Sequence, residues 1–266
     1  MFSSKGRVIS KFYNAVRKIH PQFGYRESDL FISSYPKSGR NWVHFLLANT
    51  FLVYSEDSEE INFHNISEWI SEDFPEKPPV HRLDLPRIVA KHEAYSGQQT
   101  KTLYLLRHPA DVMVSYYHYL TGRVGMDIES LSTLIRNVEY GIPAWIRHVK
   151  SWEGTLNLLV KYEDLKRNPL DQLDRIMKLV GVHDQVSQGA LEKAVARSSF
   201  ENMKRVEEKW GLPIKKGKNP NFTFMREGSS TRGEELFSGE DYYYLERMAG
   251  SMMKKYDYSL SNENVS

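Results

Sequence analysis

Lys37, His92 and Arg107 each directly follow an apolar run or close one, where a cation or a titratable base meets solvent at the end of a strand-like segment. Lys37 belongs to Leu30-Phe-Ile-Ser-Ser-Tyr-Pro-Lys-Ser-Gly-Arg-Asn-Trp42, in which the apolar run breaks into a Pro/Gly loop and then enters a helix-like stretch. Such a loop cradles a phosphate. Gly39 lets the backbone approach an anion closely, the opening N–H groups of the helix point at negative charge, and Lys37 adds a mobile cation. The order differs from a nucleoside-triphosphate loop, because Lys37 precedes Gly39 and Arg40 stands where a hydroxyl would ligate magnesium. The expected ligand is an anion held without metal.

The second segment, Arg107-His-Pro-Ala-Asp-Val-Met-Val-Ser115, puts a guanidinium at a strand end and a hydroxyl two turns into the next helix. That separation lets both meet one phosphate. Kinases and ATPases commonly place an Asp for magnesium at such a strand end, so Arg107 argues for an anion instead. His92 closes the run Arg87 to Lys91 and is the general-base candidate, with an ordinary imidazole pKa near neutrality. Each residue also has a structural role open to it: Lys37 as a solvated turn cation, Arg107 as ion-pair partner of Asp111, Ser115 back-bonded to its own helix. Their order along the chain favours a shared site.

Tyr35-Pro-Lys-Ser-Gly39 with Trp42, and Arg107-x-x-x-Asp111-x-x-x-Ser115, resemble the 5′-phosphosulfate and 3′-phosphate segments of the sulfotransferases that use 3′-phosphoadenosine 5′-phosphosulfate (PAPS). The resemblance runs from residue 28 to residue 256. It implies that Pro36, Lys37, Ser38, Gly39, Arg40, Asn41 and Trp42 bind the donor's 5′ end, and that Arg107 and Ser115 bind its 3′-phosphate. It further implies that Trp42 and Phe200 flank the adenine, that Tyr162 and Ser198 contact its edge or the ribose, and that Arg226 and Gly228 close over the 3′-phosphate. Lys37 and His92 would be catalytic. Three departures stand out: Arg40-Asn41 replaces the common Thr-Thr, Lys91-His92-Glu93-Ala94 replaces Lys-x-His-x-Pro, and Glu227 replaces a Lys beside a phosphate. The implied reaction is in-line sulfuryl transfer from PAPS to a hydroxyl or amine of an unidentified small-molecule acceptor, with His92 as base, no metal, and adenosine 3′,5′-bisphosphate (PAP) released. A P-loop-type nucleotide kinase or ATPase, and a PAP-binding module without chemistry, are the alternatives.

These residues need a scaffold of parallel strands. Helix-like apolar density covers Asn41 to Leu52, and β-rich runs cover Arg87 to His92, Thr102 to Arg107 and Thr155 to Tyr162. Helices are expected after Pro109, over 128–139 and 143–153, from Pro169 to a Gly181 cap, and over 239–256. The alternation predicts an α/β fold: a single domain with a central parallel sheet flanked by helices, a P-loop-like strand-loop-helix, and a ligand at the carboxyl ends of the strands. The expected division is an amphipathic helical segment at 1–27, the domain at 28–258 and a polar tail at 259–266. Residues 55–81 read as an irregular segment with a short helix at Ile66 to Ile70, and 209–225 as a mobile basic loop. Phe63, Trp69, Phe74 and Trp145 are aromatics available to an acceptor pocket.

Composition narrows the classes. With 266 residues, 40% of them hydrophobic, the chain can bury one large core, and a net charge of +2 makes no demand for nucleic acid. The absence of Cys excludes disulfides and thiol chemistry and suits a cytoplasmic setting. No apolar stretch reaches the roughly 20 residues that span a bilayer. Apolar and basic residues interleave over 1–20, as in a peripheral membrane helix or one packed on its own domain. Oligomeric state is not legible.

Overall fold

Strand runs that are apolar on both faces need cover on both sides, and the computed structural model supplies it; residues 27–55, 58–72, 86–97, 99–213, 219, 221–225 and 236–259 are described. The amphipathic segment at the N-terminus, Phe74, Lys215, Lys216, Lys218, Arg226, Glu227, Gly228 and the tail from 260 lie outside the described residues. The strands are β1 (Leu30–Ser34), β2 (Ser71–Glu72), β3 (Ile88–Lys91), β4 (Lys101–Leu106) and β5 (Leu158–Lys161). They form one sheet in the order β2-β3-β1-β4-β5, and every pairing is parallel. Side chains alternate along each strand, so Leu103 and Leu105 pack with Leu30 and Ile32 on one face while Tyr104 and Leu106 join the core on the other.

The first face is covered by α1 (Arg40–Tyr54), α5 (Tyr162–Arg167), α6 (Pro169–Val180) and α7 (Gln188–Arg197). The second carries α2 (Pro109–His118), α3 (Leu131–Arg136), α4 (Ile142–Trp152) and α9 (Gly239–Lys255). Local signals end the helices where expected. Pro109 and Pro169 sit in first turns, Gly181 terminates α6 with φ 92, and Ser238 with Asp241 forms a capping box on α9.

Three readings are corrected. The helix expected over 128–139 is only Leu131–Arg136, because Asn137 turns extended and the chain folds back tightly; a Cβ at Gly141 would lie 2.3 Å from the Leu134 carbonyl oxygen. The basic loop begins later than 209, since Lys209 and Trp210 end α8 (Phe200–Trp210), an 11-residue helix whose buried side chains are Met203, Val206 and Glu207. Its apolar positions Phe200, Met203 and Val206 do recur every three residues, but they are few among the charges that separate them. Trp145 is 0% exposed in the core beneath α2, α4 and α9, which removes it from any acceptor pocket, and Trp69 stacks on Phe51.

The strand order positions the site. After β1 the chain builds β3 on one side and then crosses to β4 on the other, so adjacent β1 and β4 continue into connections that diverge, leaving a crevice beyond their carboxyl ends. The start of β1 is anchored by the buried carboxylate of Asp29, which accepts from Arg87 Nε at 3.0 Å and pairs with its Nη2. Beyond α2 the chain passes through a π-helical turn, Tyr119–Val124. There Arg123 donates to the carbonyls of Pro213 (2.9 Å) and Asn219.

Candidate active site

The loop after β1 is bent sharply: Lys37 has φ 71 and Gly39 has φ 99, both left-handed. For Lys37 that conformation costs about 1–2 kcal/mol, a strain that the surrounding fold must impose. Successive turns of this kind gather amide N–H groups into one concavity, an anion nest at the head of α1. Ser38 Oγ, in a residue only 1% exposed, has no hydrogen-bond partner among the described residues. A bound phosphate oxygen would satisfy it. At Gly39 an added Cβ would lie 2.4 Å from Cδ2 of Tyr162, so glycine is required there by both conformation and space. Gly39→Ala is expected to destabilise the protein by about 1–3 kcal/mol. A urea midpoint equal to wild type would contradict this.

Arg107 joins the second anion segment to the first. Its Nη1 donates to the Lys37 carbonyl at 3.3 Å, its guanidinium lies 4.3 Å from the centroid of the Tyr162 ring, and its Nη2 is 3.6 Å from Asp111 Oδ2. The Asp111 pairing is therefore real, yet Arg107 Nε keeps no hydrogen-bond partner among the described residues. Tyr162 lies against both segments, contacting Trp42 edge-on at 5.8 Å. Ser115 is half-buried on α2. Pro36 opens the loop, and Arg40 and Asn41 begin the first turn of α1. Ser198, fully buried at the end of α7, accepts from Asn49 Nδ2 at 3.0 Å, and Phe200 opens α8.

His92 lies immediately beyond β3 with its ring against β1. Its Nδ1 is 2.8 Å from the Ser34 carbonyl oxygen. A carbonyl only accepts, so Nδ1 carries the proton and Nε2 holds the lone pair. Burial pushes the ring's pKa down to about 3, helped by the Arg40 charge and opposed by the bond to Ser34. The expectation of titration near neutrality is thus corrected: the ring is an unprotonated acceptor throughout the physiological range. Arg40, which the resemblance puts in the donor loop, also lowers the His92 pKa through its charge. The Lys displaced by one position from the family's pattern is Lys91, 1% exposed at the end of β3 and on the strand face opposite to Ala90.

Three buried histidines withhold protons. Burial lowers His44 well below its usual value, His92 to about 3 and His148 to about 4. An unfolded histidine titrates near 6.5, so below that pH the unfolded chain binds protons that the folded chain refuses. Stability is expected to be fully present above about pH 6.5 and to fall toward pH 4, by up to about 1.4 kcal/mol per pH unit for each proton withheld. Urea titrations between pH 7.5 and 4.5 check this; a flat midpoint would refute it.

Aromatic rings meet the Lys37 side chain. Its Nζ is 3.9 Å from the centroid of Phe224 and 4.7 Å from that of Tyr119. Phe224 is held there by Glu207 of α8, whose buried carboxylate accepts from the N–H of Phe224 and, at 2.7 Å, from that of Met225. Phe63 and Phe222 complete the aromatic group. Of these only Phe63 was marked from the sequence as a candidate for the acceptor side; Glu207 gave no signal among the charges of α8.

Comparison with known proteins bears on the family and the fold. Rat (Rattus norvegicus) sulfotransferase 2A6 is 27% identical over 256 residues, covering 86% of this chain and 87% of that protein. A mouse sulfotransferase, SULT7A1, solved in complex with PAP, superposes with a TM-score of 0.62 at 21% identity, covering 87% of this chain and 86% of that one. Retinol dehydratase, solved with androsterone and inactive cofactor PAP, gives 0.64 at 18% identity over 90% and 84% of the two chains. The family model described as the sulfotransferase domain matches residues 27–257. Since that match spans most of the chain and contains β1 with the loop after it, His92 and the Arg107 segment in one continuous stretch, the chain belongs to the sulfotransferase family.

Proposed function

We propose that this sulfotransferase takes PAPS as donor and passes its sulfuryl group to a hydroxyl or amine of a small-molecule acceptor, with Lys37 and His92 as the catalytic residues. The observation that carries the assignment is the bond from Arg107 to the Lys37 carbonyl, which joins two cationic segments in the crevice between β1 and β4, with His92 on the neighbouring strand end. The residues fit such a donor: an unsatisfied buried hydroxyl at Ser38 and a glycine cradle at one segment, and a guanidinium with an open Nε at the other. Bound there, PAPS supplies the sulfuryl group and a nucleotide leaving group.

Within this reading His92 Nε2 accepts the acceptor's proton while Nδ1–H stays on Ser34. Lys37 and the loop N–H groups stabilise charge that develops on the oxygen between sulfur and phosphorus as that bond breaks, acting through preorganised electrostatics. Arg107 and Ser115 hold the 3′-phosphate. Trp42, Tyr162, Ser198 and Phe200 would surround the nucleoside, and Arg226 and Gly228 would close over it. The acceptor enters from the aromatic side, past Tyr119 and Phe224. The cytoplasmic setting suited by a chain without cysteine belongs to the same reading.

Calorimetry in magnesium-free buffer tests it. PAP is expected to bind, and Arg107→Ala to weaken PAP by about 10- to 100-fold, the scale of one charge-assisted contact, with little change for adenosine 5′-phosphosulfate, which lacks the 3′-phosphate. Absence of PAP binding would overturn the assignment. Equal weakening of both ligands would move Arg107 to the other end of the donor.

A further inference from the structure

Resting on that reading, we infer that His148 and Tyr104 form a buried positioning pair that holds the backbone of the His92 loop, and so sets where the base meets the acceptor. The loop is short of its own restraints: β3 ends at Lys91, and the Pro common in this family two residues after the His is Ala94 here. Helix α4 supplies them. His148 Nε2 is 3.1 Å from the His92 carbonyl oxygen, Trp152 Nε1–H donates to the Glu93 carbonyl at 3.2 Å, and the Tyr95 N–H donates to Ser151 Oγ at 3.1 Å. Ser151 in turn donates to the His148 carbonyl at 2.7 Å.

The tautomer of His148 follows from its two partners. Only an Nε2–H can bond the His92 carbonyl, which leaves Nδ1 as an acceptor, and the Tyr104 hydroxyl lies 2.8 Å from it. Tyr104 O–H therefore donates to Nδ1 and selects the tautomer that grips the base's own peptide. Both rings are buried, Tyr104 on β4 and His148 between Trp145 and Trp152 on the inner face of α4. Packing alone would be served there by Phe and Leu, without desolvating a hydroxyl and an imidazole. What the polar pair adds is direction. The His92 ring is fixed to β1 by Ser34, and its backbone is fixed to α4 by His148, so the Nε2 lone pair is aimed from both ends.

The test uses the full chain with Tyr104→Phe, His148→Leu and His148→Gln, with PAPS as donor, 4-nitrophenol as acceptor probe and PAP as ligand. Tyr104→Phe removes the selecting hydroxyl with the least damage to packing. It and His148→Leu are expected to lower kcat by about 10- to 100-fold, the scale of a small misplacement of a reacting group, with KM for PAPS and Kd for PAP within about twofold of wild type. His148→Gln, which retains an N–H donor, is expected to recover part of the loss. Nitrogen-15 spectra of the histidine side chains should show His92 as the pure Nδ1–H form in wild type and a tautomer mixture in His148→Leu. An unchanged His92 spectrum in His148→Leu, or wild-type kcat in Tyr104→Phe, would overturn the positioning role. Failure of the wild type to bind PAP, or to transfer labelled sulfate from PAPS to any of a panel of hydroxyl and amine acceptors, would overturn the functional reading instead, and the spectra would still decide the pair.

Discussion

His92→Ala is expected to lower kcat by about two to four orders of magnitude, the usual worth of a positioned general base, while leaving PAP affinity within about twofold of wild type. The separation follows from where the ring's atoms go. Nδ1 is committed to the Ser34 carbonyl at 2.8 Å, so Nε2 is the only nitrogen left for the acceptor, and neither nitrogen is placed on the nucleotide by the reading above. Burial and the Arg40 charge keep the ring neutral, with a pKa of about 3, so the proposed base would be ready before the acceptor arrives. The sign of the pH dependence follows. A base that must be unprotonated loses activity as pH falls through its pKa, so no fall attributable to His92 is expected between pH 8 and about 5 in the free enzyme. Donor anions nearby would raise the value once bound. Single-turnover rates with saturating PAPS, beside calorimetry with PAP, make the comparison; near-wild-type turnover in His92→Ala would remove the residue from its role.

Lys37→Ala should cost a similar two to four orders of magnitude, by a different route. The ammonium is the mobile part of the phosphate loop, whereas the left-handed turn and its N–H groups belong to the backbone and survive truncation. Affinity for PAP should therefore fall much less than turnover. A larger fall in affinity than in turnover would mean that Lys37 serves ground-state binding, and its catalytic assignment would fail. In the free protein the ammonium faces Phe224 and Tyr119, contacts worth about 0.5–2 kcal/mol, which a phosphosulfate must outcompete. An anion at hydrogen-bond distance in a site shielded from water does so readily.

The strand-loop-helix form of the two candidate anion segments was legible because each is local. A Pro/Gly loop between an apolar run and a helix, and an Arg followed by Pro109 at a helix start, specify their conformations within a few residues, and parallel strands then bring all their carboxyl ends to one edge. The helix α8 was not legible, and neither was Glu207's hold on Phe224, because a stripe as narrow as Met203 and Val206 is hidden among charges. Trp145 misled for the converse reason: an aromatic side chain signals affinity for apolar surroundings, without saying whether those are a ligand or the core.

By itself, then, the amino-acid order determined the α/β alternation and the family, and it singled out the two candidate anion segments, their order along the chain and the proposed base. Tertiary structure alone decided the protonation state of His92. The His92 tautomer depends on a carbonyl 58 residues away, its lowered pKa on burial and on Arg40, and its backbone carbonyl meets a helix histidine 56 residues further on. Conformation is governed by neighbours in the chain, whereas proton affinity and direction are governed by neighbours in space, and those exist only once the sheet and its helices have packed.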